Sequence, residues 1–538
     1  MLNFKKIKMK TIKTQYGFKI LLVVILLLNL SSCSEEFTNR PPEDSISLDA
    51  YYSSNDQVAS ATNAMYNRTW FQFHNKFFFA ITEVGSGNMY TNSGDVNAMR
   101  NFSITGSDPE LNNGWQSLWA NVAQSNAIIN FLAARVGPGV DAAVLNNTIG
   151  EAYFMRATAY FYLVRLWGAV PIIENNLDYA SAPQINTNRI EDVYEFIRRD
   201  YVKATGLLYP KVRTANYASN IHVSVGSAKA MLAKIYLYLK DYPNAKATAE
   251  DVISSGEFKL FGGSLLPNKT FADLFTYGNN NNEESIVAFQ WKGDGNYGSA
   301  SNCNTQFGIS NGTISTSNAS YGGVFAPSQD IMQLYTNGDV RRKETLMLPG
   351  DTYPNIKAKI GSNYGPLVVP PADQIGGQNA GSAIKKYCIG IQNGDVTGPT
   401  DAWAMMNNNT YVMRYAELLL IHAEAILAGN SSTSDANALN SYNSVRNRAG
   451  LSSVASFTFN DLFTERRKEL AFEGDYWFDL GRITRSQAIS IMSAQNRGDR
   501  LNAQYFTPEN KDFTLPYPTN DVAKNPKLLE APVTYTFN

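Results

Sequence analysis

Charge is scarce in this chain: 17% of its 538 residues are charged, and 46 Lys and Arg against 47 Asp and Glu leave a net charge of −1. A nucleic-acid partner needs a clustered basic face, so that class is excluded as a leading reading. Histidine is scarcer still, with only His74, His222 and His422, and His422 lies inside the helical string ELLLIHAEAIL. That leaves little for a histidine-based catalytic centre. There are three cysteines and no CxxC or Cys/His cluster, which removes a zinc site and a disulfide scaffold. No apolar run approaches the roughly twenty residues that a transmembrane helix requires. The longest, Ile20 to Leu30, follows Lys5, Lys6, Lys8, Lys10, Lys13 and Lys19 and reads as an export signal.

That signal closes on Leu30-Ser31-Ser32-Cys33, which resembles a bacterial lipobox, in which the cysteine is acylated and becomes the new N-terminus. Several acyl chains on Cys33 would hold the protein firmly, each buried methylene contributing about 0.8 kcal/mol. Ser34-Glu35-Glu36-Phe37 is similar to the acidic tags that direct such lipoproteins to the outer face of the outer membrane. With Cys33 given to lipid, Cys303 and Cys388 remain, and their pairing is left open. What the chain does have is 30 Tyr and 28 Phe, with much Asn and Ser. A weakly charged surface with many tyrosines suits uncharged ligands that carry both hydroxyls and apolar C–H faces, and sugars fit that description.

The most organised stretch runs from Gly150 to Ile173, GEAYFMRATAYFYLVRLWGAVPII. Phe154, Ala157, Phe161 and Val164 share one helical face and Tyr153, Tyr160, Leu163 and Trp167 lie beside it, so the helix is interior. Gly168 ends it and Pro171 forbids a restart. Arg156 and Arg165 are spaced to reach neighbouring elements and not each other. This block closely resembles the signature of the SusD/RagB family of outer-membrane nutrient-binding lipoproteins, G-E-A-x-F-x-R-A-x-x-Y-F-x-L-V-R-x-[FW]-G-x-V-P. Three later blocks resemble the same family: RYAELLLIHAEA from Arg414, NSVRNRAG from Asn443, and ERRKELAFEGDYWFDL from Glu465. Leu515-Pro516-Tyr517-Pro518 and Asn525-Pro526 are similar to its C-terminal elements, so the resemblance covers nearly the whole chain.

Helices are expected at Asp56 to Arg68, Trp115 to Leu132 and Arg189 to Leu208. Trp115 and Trp119 are read as core. Val225 to Glu257 matches the tetratricopeptide pattern at Ala233, Tyr236 and Ala245, although Ala249 stands where a later aromatic belongs. Helices are expected to return at Tyr411 and to include one charged block from Phe463 to Arg482. The resemblance implies an all-α, tetratricopeptide-like scaffold with a large loop-rich region that carries short strands. Its expected layout is a signal over 1–33, a tether over 34–50 and a SusD-like domain over 51–538. Helical repeats would occupy about 51–260 and 410–485, and the irregular ligand-binding region about 261–409. Glu284 to Trp291 reads as a strand within it. The Gly/Asn/Ser-rich loops after Glu83 and Lys292 are of the length that is usually functional or disordered.

Three strings with catalytic looks are discounted. Gly293 to Gly298 fits GxGxxG, but Ser299-Ala300-Ser301-Asn302 continues a loop where a dinucleotide site needs a helix N-terminus. Gly308 to Gly312 fits GxSxG without the strand, helix and base of a nucleophile elbow. Glu465, Glu469, Glu473, Asp475 and Asp479 interleave with Arg466, Arg467, Lys468 and Arg482 at helical spacing, which builds ion pairs. Glycosidase carboxylates instead face each other across an open cleft, about 5 to 9.5 Å apart. No cofactor, metal or catalytic residue is therefore expected.

In family members the sugar lies on an aromatic arc formed by the first long loop and the irregular region. Carried onto this sequence, that implies Tyr90, Trp291, Tyr297 and Tyr321 as stacking rings and Asn88, Asn92 and Asp294 as polar contacts, with Trp403 and Tyr364 in reserve. The implied function is to capture an oligosaccharide at the cell surface and deliver it to a SusC-like TonB-dependent transporter. The alternatives are a RagB-type binder of peptide or another nutrient, a surface glycoside hydrolase, and a transporter lid with no ligand of its own.

Overall fold

The computed structural model describes residues 51–213, 220–293, 298–309, 323–360, 363–375, 378–379, 381–389 and 406–537. Its first helix, α1 (Asn55–Ala59), starts from a reciprocal cap between Ser54 and Gln57 and continues as a 3₁₀ turn over Ser60–Tyr66. The single helix expected here is thus one short α-helix followed by tighter 3₁₀ turns over Ser60–Tyr66 and Arg68–Trp70. Asp108 accepts from the backbone N–H groups of Glu110 and Leu111, and Pro109 sits at the first helical position, so α2 (Pro109–Phe131) begins before Trp115. α3 (Ala142–Trp167) contains the Gly150 block and stops at Gly168, whose φ of 74° suits glycine. α4 (Ile190–Leu207), α5 (Val225–Tyr238) and α6 (Tyr242–Ser255) follow.

Each helix packs on the next, α2 on α3, α3 on α4, α4 on α5 and α5 on α6, which is the layout of a helical repeat array. Fully buried alanines let the axes approach: Ala152, Ala157 and Ala159 in α3, Ala228, Ala230 and Ala233 in α5, Ala245 and Ala249 in α6. Arg156 ties three helices together. From α3 it donates to both carboxylate oxygens of Asp200 on α4, at 2.7 and 2.8 Å, and to Asn126 on α2 at 2.8 Å. A buried guanidinium needs such a complete set of acceptors.

The array is interrupted after α6 and resumes with α7 (Tyr415–Leu427), which packs on α6, and α8 (Ala436–Arg448), which packs on α7. The chain between them leaves and returns at one place. There β2 (Ser285–Phe289) pairs antiparallel with β8 (Thr410–Arg414), and all ten residues are buried. Tyr411 therefore lies in a strand and not a helix, because Tyr411, Val412 and Met413 fill a two-sided interior position beside β2. Three other pairs are two residues long, β1 (Met89–Tyr90) with β3 (Ala326–Pro327), β4 (Leu346–Met347) with β7 (Ala383–Ile384), and β9 (Ser432–Thr433) with β10 (Phe457–Thr458), while β5 (Thr352–Ile360) and β6 (Asn363–Val368) form a longer hairpin.

The charged block is likewise two helices, α9 (Phe459–Glu469) and α10 (Tyr476–Arg482), followed by α11 (Arg485–Ala494). Phe472 at φ 66° and Gly474 at φ 92° turn the chain between α9 and α10. The carboxylates of this block point inward. Glu469 accepts from Arg414 and Arg341, at 2.5 and 2.9 Å, and from Arg448; Arg414 also reaches Glu284 and Glu473, both at 2.7 Å. Burial alone would raise the Glu469 pKa, but the guanidiniums of Arg448, Arg414 and Arg341 hold it far below the ordinary carboxylate range. This network joins β2, β8, α8 and α9 and fixes the loop-rich region to the array. Its carboxylates are buried and paired, with no open cleft between them.

Candidate functional site

The structure moves several of the expected ligand-contacting residues into the core. Trp291 stands two residues beyond β2 and is only 5% exposed. Its ring lies 4.9 Å from that of His74 and 6.1 Å from that of Phe289, and its indole N–H donates to Thr410 at 2.9 Å. It has no free face for a sugar. His74 beside it is kept neutral, burial lowering its pKa to about 3. Asn88 is fully buried: its amide donates to Glu83 at 2.9 Å and its oxygen accepts from Arg467 Nε at 2.8 Å. Glu83 also accepts from the Gly474 N–H at 2.6 Å, and burial raises its carboxyl to about 7. Tyr90 sits in β1 at 4% exposure, with the Arg100 guanidinium 5.1 Å from its ring centre. Both residues hold the first loop in place because that loop is zipped onto other segments, which the sequence could not show.

Asn92 is exposed. Asp294, Tyr297, Tyr321 and Trp403 lie outside the described residues, as does Cys33, and so does the side chain of Tyr364. Most of the GxGxxG and GxSxG strings falls there too. Cys303 and Cys388 are free buried thiols.

Three segments meet around Tyr90, two residues before Asn92: β1, β3 and the loop after α11. β1 pairs with β3 in the register Met89↔Pro327 and Tyr90↔Ala326, and the Thr91 hydroxyl donates to Val324 O at 2.7 Å. The 310–322 segment, all Gly, Ala, Ile, Ser, Thr, Asn and Tyr, precedes Gly323 in sequence and lies outside the described residues. On the other side comes the loop after α11. Arg497 anchors it by donating to Val84 O and Gly85 O at 2.7 and 2.8 Å. Asp499 turns it by accepting from the N–H groups of Leu501 and Asn502. Gly498 is required within that turn, since a Cβ there would stand 1.9 Å from Asn502 O.

The loop presents Tyr505, at 61% the most exposed aromatic side chain among the described residues. Phe506 beside it is half-buried, 5.8 Å from the Arg100 guanidinium, which is thus held between two rings. Arg100 Nε and Nη1 have no acceptor among the described residues. The resulting face offers the open Tyr505 ring and the exposed Asn92 amide, with the partly buried Arg100 guanidinium between Tyr90 and Phe506. Such groups grip a polyol by stacking and hydrogen bonding. The sequence reading missed Tyr505, Phe506 and Arg100, and the only local signal was a Tyr-Phe pair in a polar, non-helical stretch.

Other concave places differ in chemistry. A cleft of about 540 Å³ between α6, α7 and α8 has Ile253, Tyr415 and Leu419 in its walls with Asn440 and Asn447, but a single aromatic ring. Among the described residues no group of His, Cys, Asp and Glu is arranged to hold a metal ion, and no helix is long and apolar enough to cross a membrane.

A helical repeat array that carries a loop-built, weakly charged face, with its carboxylate block turned inward, is the anatomy of a binding protein. The family profile described as SusD family matches residues 261–533, and one described as starch-binding associating with outer membrane matches residues 40–237. A SusD-like protein of Bacteroides ovatus is 31% identical over 97% of this chain and 98% of its own length. The chain belongs to the SusD family. A SusD-like protein P2 of Formosa agariphila is 25% identical over 94% of this chain and 97% of its own. A solved structure with xylogluco-oligosaccharide is 27% identical, with a TM-score of 0.76 over 89% of this chain and 99% of that one. The surface glycan-binding protein A from Bacteroides thetaiotaomicron, in complex with laminarihexaose, shares the fold at a TM-score of 0.67 and 20% identity, over 89% of this chain and 99% of that one.

Proposed function

We propose that this protein captures oligosaccharide on the outer surface of the outer membrane and hands it to a SusC-like TonB-dependent transporter, held to the membrane by acyl chains on Cys33. The proposed ligand face is the one around Asn92, Tyr505, Phe506 and Arg100; Tyr321, Asp294 and Tyr297 are further proposed contacts and lie outside the described residues. The mechanism is binding and transfer, and it needs no catalytic group or cofactor. A ring against a pyranose face contributes about 1–3 kcal/mol by covering apolar C–H surface. Two or three such contacts with hydrogen bonds reach about 4–8 kcal/mol, the millimolar to micromolar range. The observation that carries this reading is the 27% identical relative solved with a xylogluco-oligosaccharide, taken together with an open tyrosine on a face without strong charge.

The test is calorimetric titration of the soluble chain, beginning after Cys33, with neutral oligosaccharides, acidic oligosaccharides and a peptide mixture. Tyr505→Ala is expected to weaken binding of the recognised glycan at least tenfold while leaving the melting temperature unchanged. Silence across the sugars, with heat from peptide, would replace this reading with capture of peptide.

A further inference from the structure

Arg165 stands in the last turn of α3, one helical turn beyond Phe161. Its guanidinium is sandwiched between the rings of Phe161 and Phe478, 3.6 and 3.7 Å from their centres. Its Nε donates to Phe161 O at 2.9 Å and its Nη1 to the Tyr238 hydroxyl at 3.4 Å, and no carboxylate among the described residues pairs with it. Arg485 opens α11 a short distance away. Its guanidinium lies 3.7 Å over Phe513, which is itself stacked on Trp477. It too has no carboxylate partner among the described residues, and its Nη1 is a buried donor without an acceptor. Both line one cavity of about 260 Å³, with Tyr194, Tyr238 and Thr514 in the same wall. A third arginine there, Arg482, is already neutralised by Glu424 and Asp479.

Guanidiniums withdrawn from water are normally paired with acids. Here both groups are partly buried and held in place by aromatic rings, and Asp475 acts on Arg165 electrostatically from beyond pairing distance. The planar N–H forks match the geometry of carboxylate and phosphate oxygens, and the neighbouring hydroxyls add donors. The cavity has room for one small ring or one tetrahedral anion. We propose that this cavity between α3, α10 and α11 is a binding site for a small oxyanion, with Arg165 and Arg485 as its two charged contacts. It is separate from the glycan face and does not depend on that reading.

The probes are inorganic phosphate, glucuronate and, as a control, glucose, titrated into the soluble chain in low-salt buffer free of phosphate. A saturable heat from phosphate or glucuronate and none from glucose is expected, weakened at least tenfold in Arg485→Gln. Phosphate alone would assign the site to phosphoryl groups, glucuronate alone to sugar carboxylates, and both to oxyanions as a class. No saturable heat at millimolar concentration, or equal binding by Arg485→Gln, would overturn the proposal. Should that variant fail to fold, the wild-type chain is labelled with phenylglyoxal and read by peptide mass spectrometry. Phosphate or glucuronate should then protect Arg165 and Arg485 over the other arginines, and absence of protection counts against the site.

Discussion

Glu83 shows how a single buried side chain couples this fold to pH. Its carboxyl is raised from 4.5 to about 7 because burial disfavours the charged form more than the hydrogen bonds of Asn88 and Gly474 favour it. Between those two values the native state binds more protons than the unfolded chain, so this group's stabilisation is full below pH 4.5 and is lost as pH rises through 7. The loss amounts to roughly 3 kcal/mol at about 1.4 kcal/mol per pH unit. Urea unfolding from pH 5 to pH 8 should show this downward slope, and Glu83→Gln should flatten it, at the cost of one good contact with Asn88. Trp291 carries the second prediction at this scale. Since its ring is buried and its N–H is bonded to Thr410, Trp291→Ala should cost about 3–5 kcal/mol of stability. Glycan affinity per folded molecule should stay close to that of the wild type, which separates a core role from a platform role.

The break between α9 and α10 decides which way the family's charged block faces. A continuous helix would carry Glu473 and Asp475 around its circumference, whereas the turn at Phe472 and Gly474 lets Glu473 reach Arg414 and Lys386, and Asp475 reach Lys234. Gly474 is needed twice over: its φ is 92°, and a Cβ would come within 2.0 Å of the Phe78 ring. Gly474→Ala should therefore destabilise by about 1–3 kcal/mol, read as a lowered urea midpoint with an unchanged m-value. The same glycine N–H is a donor to Glu83, so the loss should be larger at pH 8, where that carboxyl is ionised, than at pH 5.

Across the whole molecule, the buried charges join two kinds of structure. Helices pack on their sequence neighbours through small residues, but the loop-rich region has few helices of its own and is held by β2 pairing with β8 and by the Arg414 cluster. Arg414 is fully buried and touches Glu284, Glu469 and Glu473 together. Arg414→Met would leave those carboxylates without a shared counter-charge, at a cost of about 3–5 kcal/mol. Because the cluster sits where the two parts join, limited proteolysis should then cut first within the loop-rich region, with α2 to α6 protected longer. Equal protection of both parts would show that the β2–β8 pairing alone suffices to hold them together.

Helices whose apolar residues recur at helical spacing were legible in the sequence: α3 through its Phe, Ala and Val face, α5 and α6 through Ala233, Tyr236 and Ala245, and α4 to within a residue at either end. So were the ion pairing of the charged block, though not the direction it faces, and, through several long motifs, the family. These depend on local periodicity and spacing, which a linear chain displays. The rest depends on contacts between segments far apart in sequence. Tyr411 to Arg414 reads as the start of a helix, and only Ser285 to Phe289, over a hundred residues earlier, makes it a strand. Asn88 and Trp291 look like open loop residues until Arg467 and Thr410 claim their polar atoms. Tyr505 attracts no notice until Gly498 and Asp499 turn its loop outward beside β1 and β3. Composition and pattern by themselves determined that this is a helical, weakly charged chain, and its long motifs carried the resemblance to a family of binding proteins. Which rings face solvent was decided by tertiary structure alone, because exposure depends on what the rest of the chain leaves uncovered.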